Sequence, residues 1–237
     1  MKKCVLNWAK GEWYPKGQQR LIDSLKKVNF DGDVLTFTEE QEINCPPHNK
    51  VPYGFKPYAI KYAIELGYEL ILWCDASIWA VKPIEPIFEE IEKNQYCFFH
   101  NTITGPFSSD ASLKSFGITR EEAFNIPMLI GGCIGLNMTT DICKEFFKRW
   151  LEKANDGVTF PGCWHNNNNE VSNDPRVRGH RHDQTAASII AYQLDMKFII
   201  PHFTYFQYYQ NPTNNTYAMN PDMSLINDSI VLVAQGM

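Results

Sequence analysis

The chain reads as an α/β protein, a mostly parallel sheet flanked by helices and folded as one domain. Strand-like and helix-like stretches alternate along most of its length. Leu70-Ile71-Leu72-Trp73-Cys74 is apolar at every position, as a strand covered on both faces must be. Neither an internal repeat nor a linker breaks the 237 residues, and at 44% hydrophobic they can bury one substantial core.

Cys4 to Trp8 has the pattern of a first strand, and Pro15 opens a helix to Lys27 with Leu21 and Leu25 four apart on one face. Asp33 to Phe37 is a second strand. Pro46, Pro47 and Pro52 make residues 38–53 a loop. Pro57 to Leu66 is helical by the spacing of Ile60 and Ile64, and Gly67 closes it. After the strand ending at Cys74, Ile84, Ile87, Phe88 and Ile91 mark a helix, and Tyr96 to Phe99 a strand. Thr119 and Glu122 are spaced as a capping box. Met128 to Asn137 is a glycine-interrupted strand, and Thr140 to Ala154 an amphipathic helix through Ile142, Phe146 and Trp150. A long polar loop covers 156–180. Asp183 to Leu194 is helical, Phe198 to Pro201 a strand, Phe203 to Asn227 irregular, and Ile230 to Val233 a last strand.

The net charge of −5 provides no basic field for nucleic acid or an anionic membrane. Seven cysteines, an odd number without a Cys-x-x-Cys pair, point to free thiols in a reducing, cytoplasmic setting. The opening residues lack the pattern of a signal peptide, and no apolar run is long enough to span a membrane. The Asn-x-Ser/Thr triplets at Asn137, Asn214 and Asn227 are then chance matches.

In open α/β sheets the ligand crevice lies beyond the carboxyl ends of the strands. Asp75 stands there, placed to hold a divalent cation or a ribose hydroxyl, or simply to cap a turn. Cys163, His165, His180 and His182 form a rival constellation, with ligand-like residues at alternating positions but without the usual zinc spacing. Asp183 precedes a helical run, so it is either a carboxylate base or an N-cap. Lys56 is either a phosphate ligand or a solvated lysine at a helix start.

Phe55-Lys56-Pro57-Tyr58-Ala59-Ile60, Gly67-Tyr68 and Ile71-Leu72-Trp73-Cys74-Asp75-Ala76-Ser77-Ile78 together resemble the donor-binding half of GT-A type glycosyltransferases. Ile130-Gly131-Gly132-Cys133-Ile134-Gly135-Leu136-Asn137 is similar to that family's glycine-containing strand beside the donor sugar. His180-Arg181-His182-Asp183-Gln184 is similar to its late His-Asp-Gln motif. The resemblance implies a GT-A-like (Rossmann-like) fold, with a donor-binding part over about residues 1–137 and an acceptor side over about 138–237. It implies transfer of a sugar from a nucleotide-diphosphate sugar to an acceptor hydroxyl, the acceptor being unspecified. Asn7 and Trp8 would meet the nucleotide, while Lys56, Asp75, Ser77 and Arg181 would organise the diphosphate. Gly131 and Gly132 would flank the donor sugar, and Asp183 or His182 would act on the acceptor's proton. Asp75 and His202 would hold Mn²⁺ or Mg²⁺. Ser77 departs from the family's Asp-x-Asp pattern, and a hydroxyl is a poorer ligand than a carboxylate for a hard cation. That departure leaves a non-catalytic sugar- or nucleotide-binding protein as one alternative. A nucleotidyltransferase is another, although Trp8 to Lys16, with Gly11 alone, lacks a glycine-rich phosphate cradle.

Overall fold

The computed structural model describes residues 1–196, 200–201, 204–208, 224 and 226–234. Strand β1 (Lys3–Trp8) leads into helix α1 (Tyr14–Lys27), which has Pro15 in its first turn and Leu21 and Leu25 buried. β2 (Asp33–Phe37) follows, then an irregular stretch with a short 3-10 turn at Glu40–Ile43. α2 (Phe55–Glu65) ends before Gly67, whose φ of +79° suits a residue without a β-carbon. β3 (Leu70–Cys74) is buried at every position. Next come β4 (Ile78–Ala80), α3 (Glu85–Asn94), β5 (Tyr96–Ile103), α4 (Asp110–Phe116) and α5 (Arg120–Ala123). β6 (Pro127–Asn137), α6 (Asp141–Asn155), α7 (His182–Gln193), β7 (Ile200–Pro201), β8 (Phe206–Tyr208) and β9 (Leu232–Ala234) complete the order. At α5 the expected capping box forms. Thr119 Oγ1 accepts from the Glu122 N–H at 3.1 Å, and Glu122 Oε2 accepts from the Thr119 N–H at 2.6 Å.

The main sheet has the order β2-β1-β3-β6-β5-β7. β1 pairs in parallel with β2 and β3, and β5 with β7, whereas β6 is antiparallel to both β3 and β5. The sheet is thus mostly parallel, with one reversed strand at its centre. Alternation along the strands divides the core between two faces. Leu6, Ile71, Trp73, Phe98 and Ile134 pack against α2, α6 and α7. Val5, Leu70, Leu72, Cys97 and Phe99 pack against α1, α3 and a second sheet of order β4-β9-β8. Apolar cover on both sides is why β3 carries no polar residue.

Three short elements were not anticipated: β4, β8 and α4. A periodicity cannot be recognised over three residues, and α4 is fixed instead by its cap, with Ser109 Oγ accepting from the Ser112 N–H at 3.1 Å. Residues 198–199 of the anticipated strand, and most of the Tyr- and Asn-rich stretch, lie outside the described residues.

Candidate active site at the carboxyl edge of the sheet

β3 ends at Cys74, opposite Cys133 of β6. Because β6 runs the other way, its early residues Gly131 and Gly132 reach the same edge as Asp75. The Asp75 N–H donates to the Gly132 carbonyl at 2.8 Å, which carries the pairing one residue past the strand. The Trp73 indole N–H donates to Asp75 Oδ1 at 2.7 Å and aims the carboxylate.

Into this edge the first turn of α2 delivers Lys56. Its Nζ donates to the Gly131 carbonyl at 2.8 Å and lies 3.2 Å from Asp75 Oδ1 and 3.0 Å from Asp183 Oδ2. Lys56 and Asp183 are almost completely buried, whereas the Asp75 side chain is 36% exposed. Lys56 is therefore neither solvated nor ahead of its helix. One ammonium serves two carboxylates. Burial alone would discharge Lys56, but Asp183 and then Asp75 reverse the effect and hold its pKa raised. Burial pushes Asp183 up to about 6; Lys56 opposes that rise and Asp75 adds to it. Asp183 is not the N-cap of α7, a position held by Arg181. Asp183 Oδ2 has ion-pair distance to Lys56 but no hydrogen-bond partner among the described residues.

The two glycines serve this cluster. A β-carbon on Gly131 would sit 3.2 Å from Asp183 Oδ2 and 3.1 Å from Gln184 Cβ. One on Gly132 would sit 3.1 Å from Asp75 Oδ2. Either contact is tight enough to displace a carboxylate. Gly132→Ala is expected to shift the Asp75 carboxylate and lengthen its contact with Lys56 while unfolding within about 3 kcal/mol of the wild type. A crystal structure of the variant and its thermal unfolding check this, and an unmoved Asp75 would show that the close approach is dispensable.

A cleft opens over the cluster in two adjoining chambers of about 390 and 470 Å³. Tyr14, Tyr53, Asp75 and Ser77 line both and so form the waist between them. The first chamber also holds Lys56, Gly131, Gly132, Asp183, Gln184 and Arg181. The second is walled by Trp8, Phe55 and His48, with Trp8 stacked on Phe55 at 4.2 Å. Among the described charged lining residues, Lys10, Lys56 and Arg181 balance Glu40, Asp75 and Asp183, so this part of the lining has no excess of positive charge. Lys10 is engaged by Glu39 and Glu40 at 2.6 and 2.7 Å.

Several anticipated site residues sit elsewhere or act differently. Asn7 is fully buried; its amide donates to the Cys74 carbonyl at 2.7 Å and accepts from Gln18 at 2.9 Å. It braces β1 against the end of β3 and has no face on the cleft. His182 is buried, with Nδ1 2.8 Å from the Phe160 carbonyl, and burial lowers its pKa to about 4. It lines neither chamber. Its ring instead lies against Tyr53 at 5.4 Å. Both nitrogens of His180 are used, Nδ1 accepting from the Ser109 N–H at 3.3 Å and Nε2 facing the Thr159 carbonyl at 2.8 Å. No nitrogen is left for zinc with Cys163, His165 and His182, and no group of three metal-ligating side chains occurs among the described residues. Arg181 lines the first chamber, but its guanidinium stacks 3.7 Å above Trp164 and donates to the Trp164 carbonyl at 2.5 Å. His202 lies outside the described residues.

Other lining residues gave no sequence signal. Asn101 and Thr102 come from the far end of β5, and Trp164 from the long polar loop. Tyr14, the first residue of α1, reaches the waist. Tyr53 carries a clue only in hindsight, standing between Pro52 and Gly54 just ahead of Lys56.

Neither a family sequence profile nor any curated protein sequence matches the chain. Solved structures do. A glycosyltransferase involved in the glycosylation of the major capsid of PBCV-1 superimposes with a TM-score of 0.54 at 13% identity, covering 100% of this chain and 95% of that one. The apo structure of WbbM, a bifunctional glycosyltransferase, superimposes with a TM-score of 0.58 at 10% identity. It covers all of this chain, which spans 46% of WbbM. The mixed α/β architecture built around the Asp75 edge is therefore the fold of these two glycosyltransferases.

Proposed function

We propose that the protein transfers a sugar from a nucleotide-diphosphate donor to an acceptor hydroxyl. The observation that carries this is the Lys56–Asp75–Asp183 cluster at the carboxyl edge of the parallel strands, under a cleft with a separate aromatic chamber. Trp8 and Phe55 offer a flat apolar wall for a base. The chamber over the cluster suits the donor sugar and the attacking hydroxyl, with Asp183 as the proton acceptor. Its raised pKa lies near working pH, where a general base is most effective. Residues up to about 137 make most of the donor side; Trp164, Arg181, Asp183 and Gln184 contribute from the acceptor side.

Mn²⁺ or Mg²⁺ fits Asp75 in one respect: such ions are commonly held by one or two carboxylates together with substrate phosphates, and this carboxylate is partly open to the cleft. When bound, the ion would offset charge on the diphosphate leaving group. Asp75 and Ser77 are the described residues that would face it. Asp183 is already turned to Lys56. Free thiols at all seven cysteines suit the cytoplasm, and among the described residues no helix is long and apolar enough to cross a membrane.

Thermal shift against a panel of UDP- and GDP-sugars with Mn²⁺ tests the reading. One donor at 100 times its Kd should stabilise the fold by about 2.7 kcal/mol. No shift with any donor, together with no donor hydrolysis, would sink it.

A further inference from the structure

The described residues of the cleft have balanced charge, and its most buried cation is committed to two carboxylates, so a diphosphate needs other donors at the waist between the chambers. Tyr53 lies there. Its backbone is held at φ +60°, an uncommon conformation for a residue with a β-carbon and one that recurs at functional sites. The ring is fixed on several sides, by His182 at 5.4 Å, His48 at 5.1 Å and Trp164 at 6.0 Å. Lys56 Nζ is 5.4 Å from its centre. The phenol is in electrostatic reach of Lys56, Asp183, Asp75 and Tyr14, and burial pushes it up to about 12. It therefore keeps its proton at neutral pH and can donate. Among the described residues neither the Tyr53 nor the Tyr14 hydroxyl has a hydrogen-bond partner.

We infer that the Tyr53 hydroxyl, with Tyr14 at the same waist, donates hydrogen bonds to the donor's diphosphate in place of the cations absent among the described residues of the waist. This rests on the proposed donor reading and adds two binding residues to it. Neutral donors suit this position. Another buried cation would compete with Lys56 for Asp75 and Asp183, whereas a phenol adds polarity without disturbing that balance. Ser77, standing where a second acidic ligand is usual for a bridging ion, makes such help more valuable.

The test is Tyr53→Phe, which removes the hydroxyl and keeps the ring against His182 and Trp164. Binding of UDP, GDP, uridine and guanosine is measured by calorimetry in Mn²⁺, with thermal unfolding as a control. A hydrogen bond to a charged group predicts that the nucleoside diphosphate that binds the wild type is weakened about tenfold or more. The matching nucleoside, which has no phosphate, should change less than twofold. Equal loss for nucleoside and nucleoside diphosphate overturns the inference, because the ring rather than the hydroxyl would be at work. So does unchanged binding of both. If Tyr53→Phe does not fold, the half-exposed Tyr14→Phe carries the same comparison, and an unchanged diphosphate affinity there overturns the pairing. Failure of the wild type to bind either nucleoside diphosphate would instead remove the donor reading itself.

Discussion

Lys56→Met is expected to destabilise the protein by about 3–5 kcal/mol, the usual penalty for leaving a buried charge without its partner. The methionine fills a similar volume, so packing is nearly kept and the loss reports electrostatics. Two carboxylates would then face each other across the Gly131 and Gly132 strand, with Asp183 almost completely buried. Asp183 already titrates near 6, and without Lys56 its pKa must rise further, since Lys56 was the influence opposing burial. A raised carboxylate pKa costs stability that builds up as pH climbs from the unfolded value to the raised folded one, so the further rise in the variant adds a cost only above the wild-type value near 6. The deficit relative to wild type should therefore shrink as pH falls from 8 towards 5. Chemical denaturation at several pH values measures it. Adding Asp183→Asn to Lys56→Met should restore much of the loss, because removing both members of a buried pair costs less than removing one. A deficit that ignores both pH and the second substitution would mean that Lys56 matters through its methylenes alone.

How much of this was legible in the sequence differs sharply from residue to residue. The run Leu70–Cys74 announces a covered strand, and with it the place of Asp75, because a chemical pattern and a local geometry coincide there. The direction of β6 could not be read from Met128–Asn137. An apolar strand looks the same in either direction, and topology alone decides which end meets Asp75. That the lysine at the start of α2 is shared by two carboxylates could not be read, because its partners are remote in sequence; Gly131 alone is 75 positions away. Asn7 and His182 were assigned site roles through the resemblance to the glycosyltransferases. Burial instead turned both inward, where a polar side chain must find a partner, and each did: Asn7 at the Cys74 carbonyl, His182 at that of Phe160. Spacing along a chain says which residues are near the site, but not which way they point.

If the protein catalyses the proposed sugar transfer with Asp183 as base, Asp183→Asn should lower it by about 10²–10⁴-fold, the usual contribution of a positioned general base. Donor affinity should move far less, because the amide keeps the shape of the carboxyl group and leaves Lys56 with Asp75 and Gly131. The fold should tolerate this change better than the loss of Lys56. At neutral pH the cluster holds one cation and two anions, so removing one anion balances it. The pH dependence is the more searching measurement. With its pKa raised to about 6, Asp183 is mostly protonated at pH 5 and mostly ionised at pH 7, so wild-type transfer should rise across that interval. The residual rate of the variant should not show that rise. Stability has the opposite slope. Between the ordinary carboxylate value near 3.8 and the raised value near 6, the folded protein keeps a proton that the unfolded chain has released. Wild-type stability should therefore fall as pH climbs through that window, and the variant should lose this part of the dependence. A variant that keeps the acid limb in its rate would assign the proton transfer to another group, while Asp183 kept its place beside Lys56.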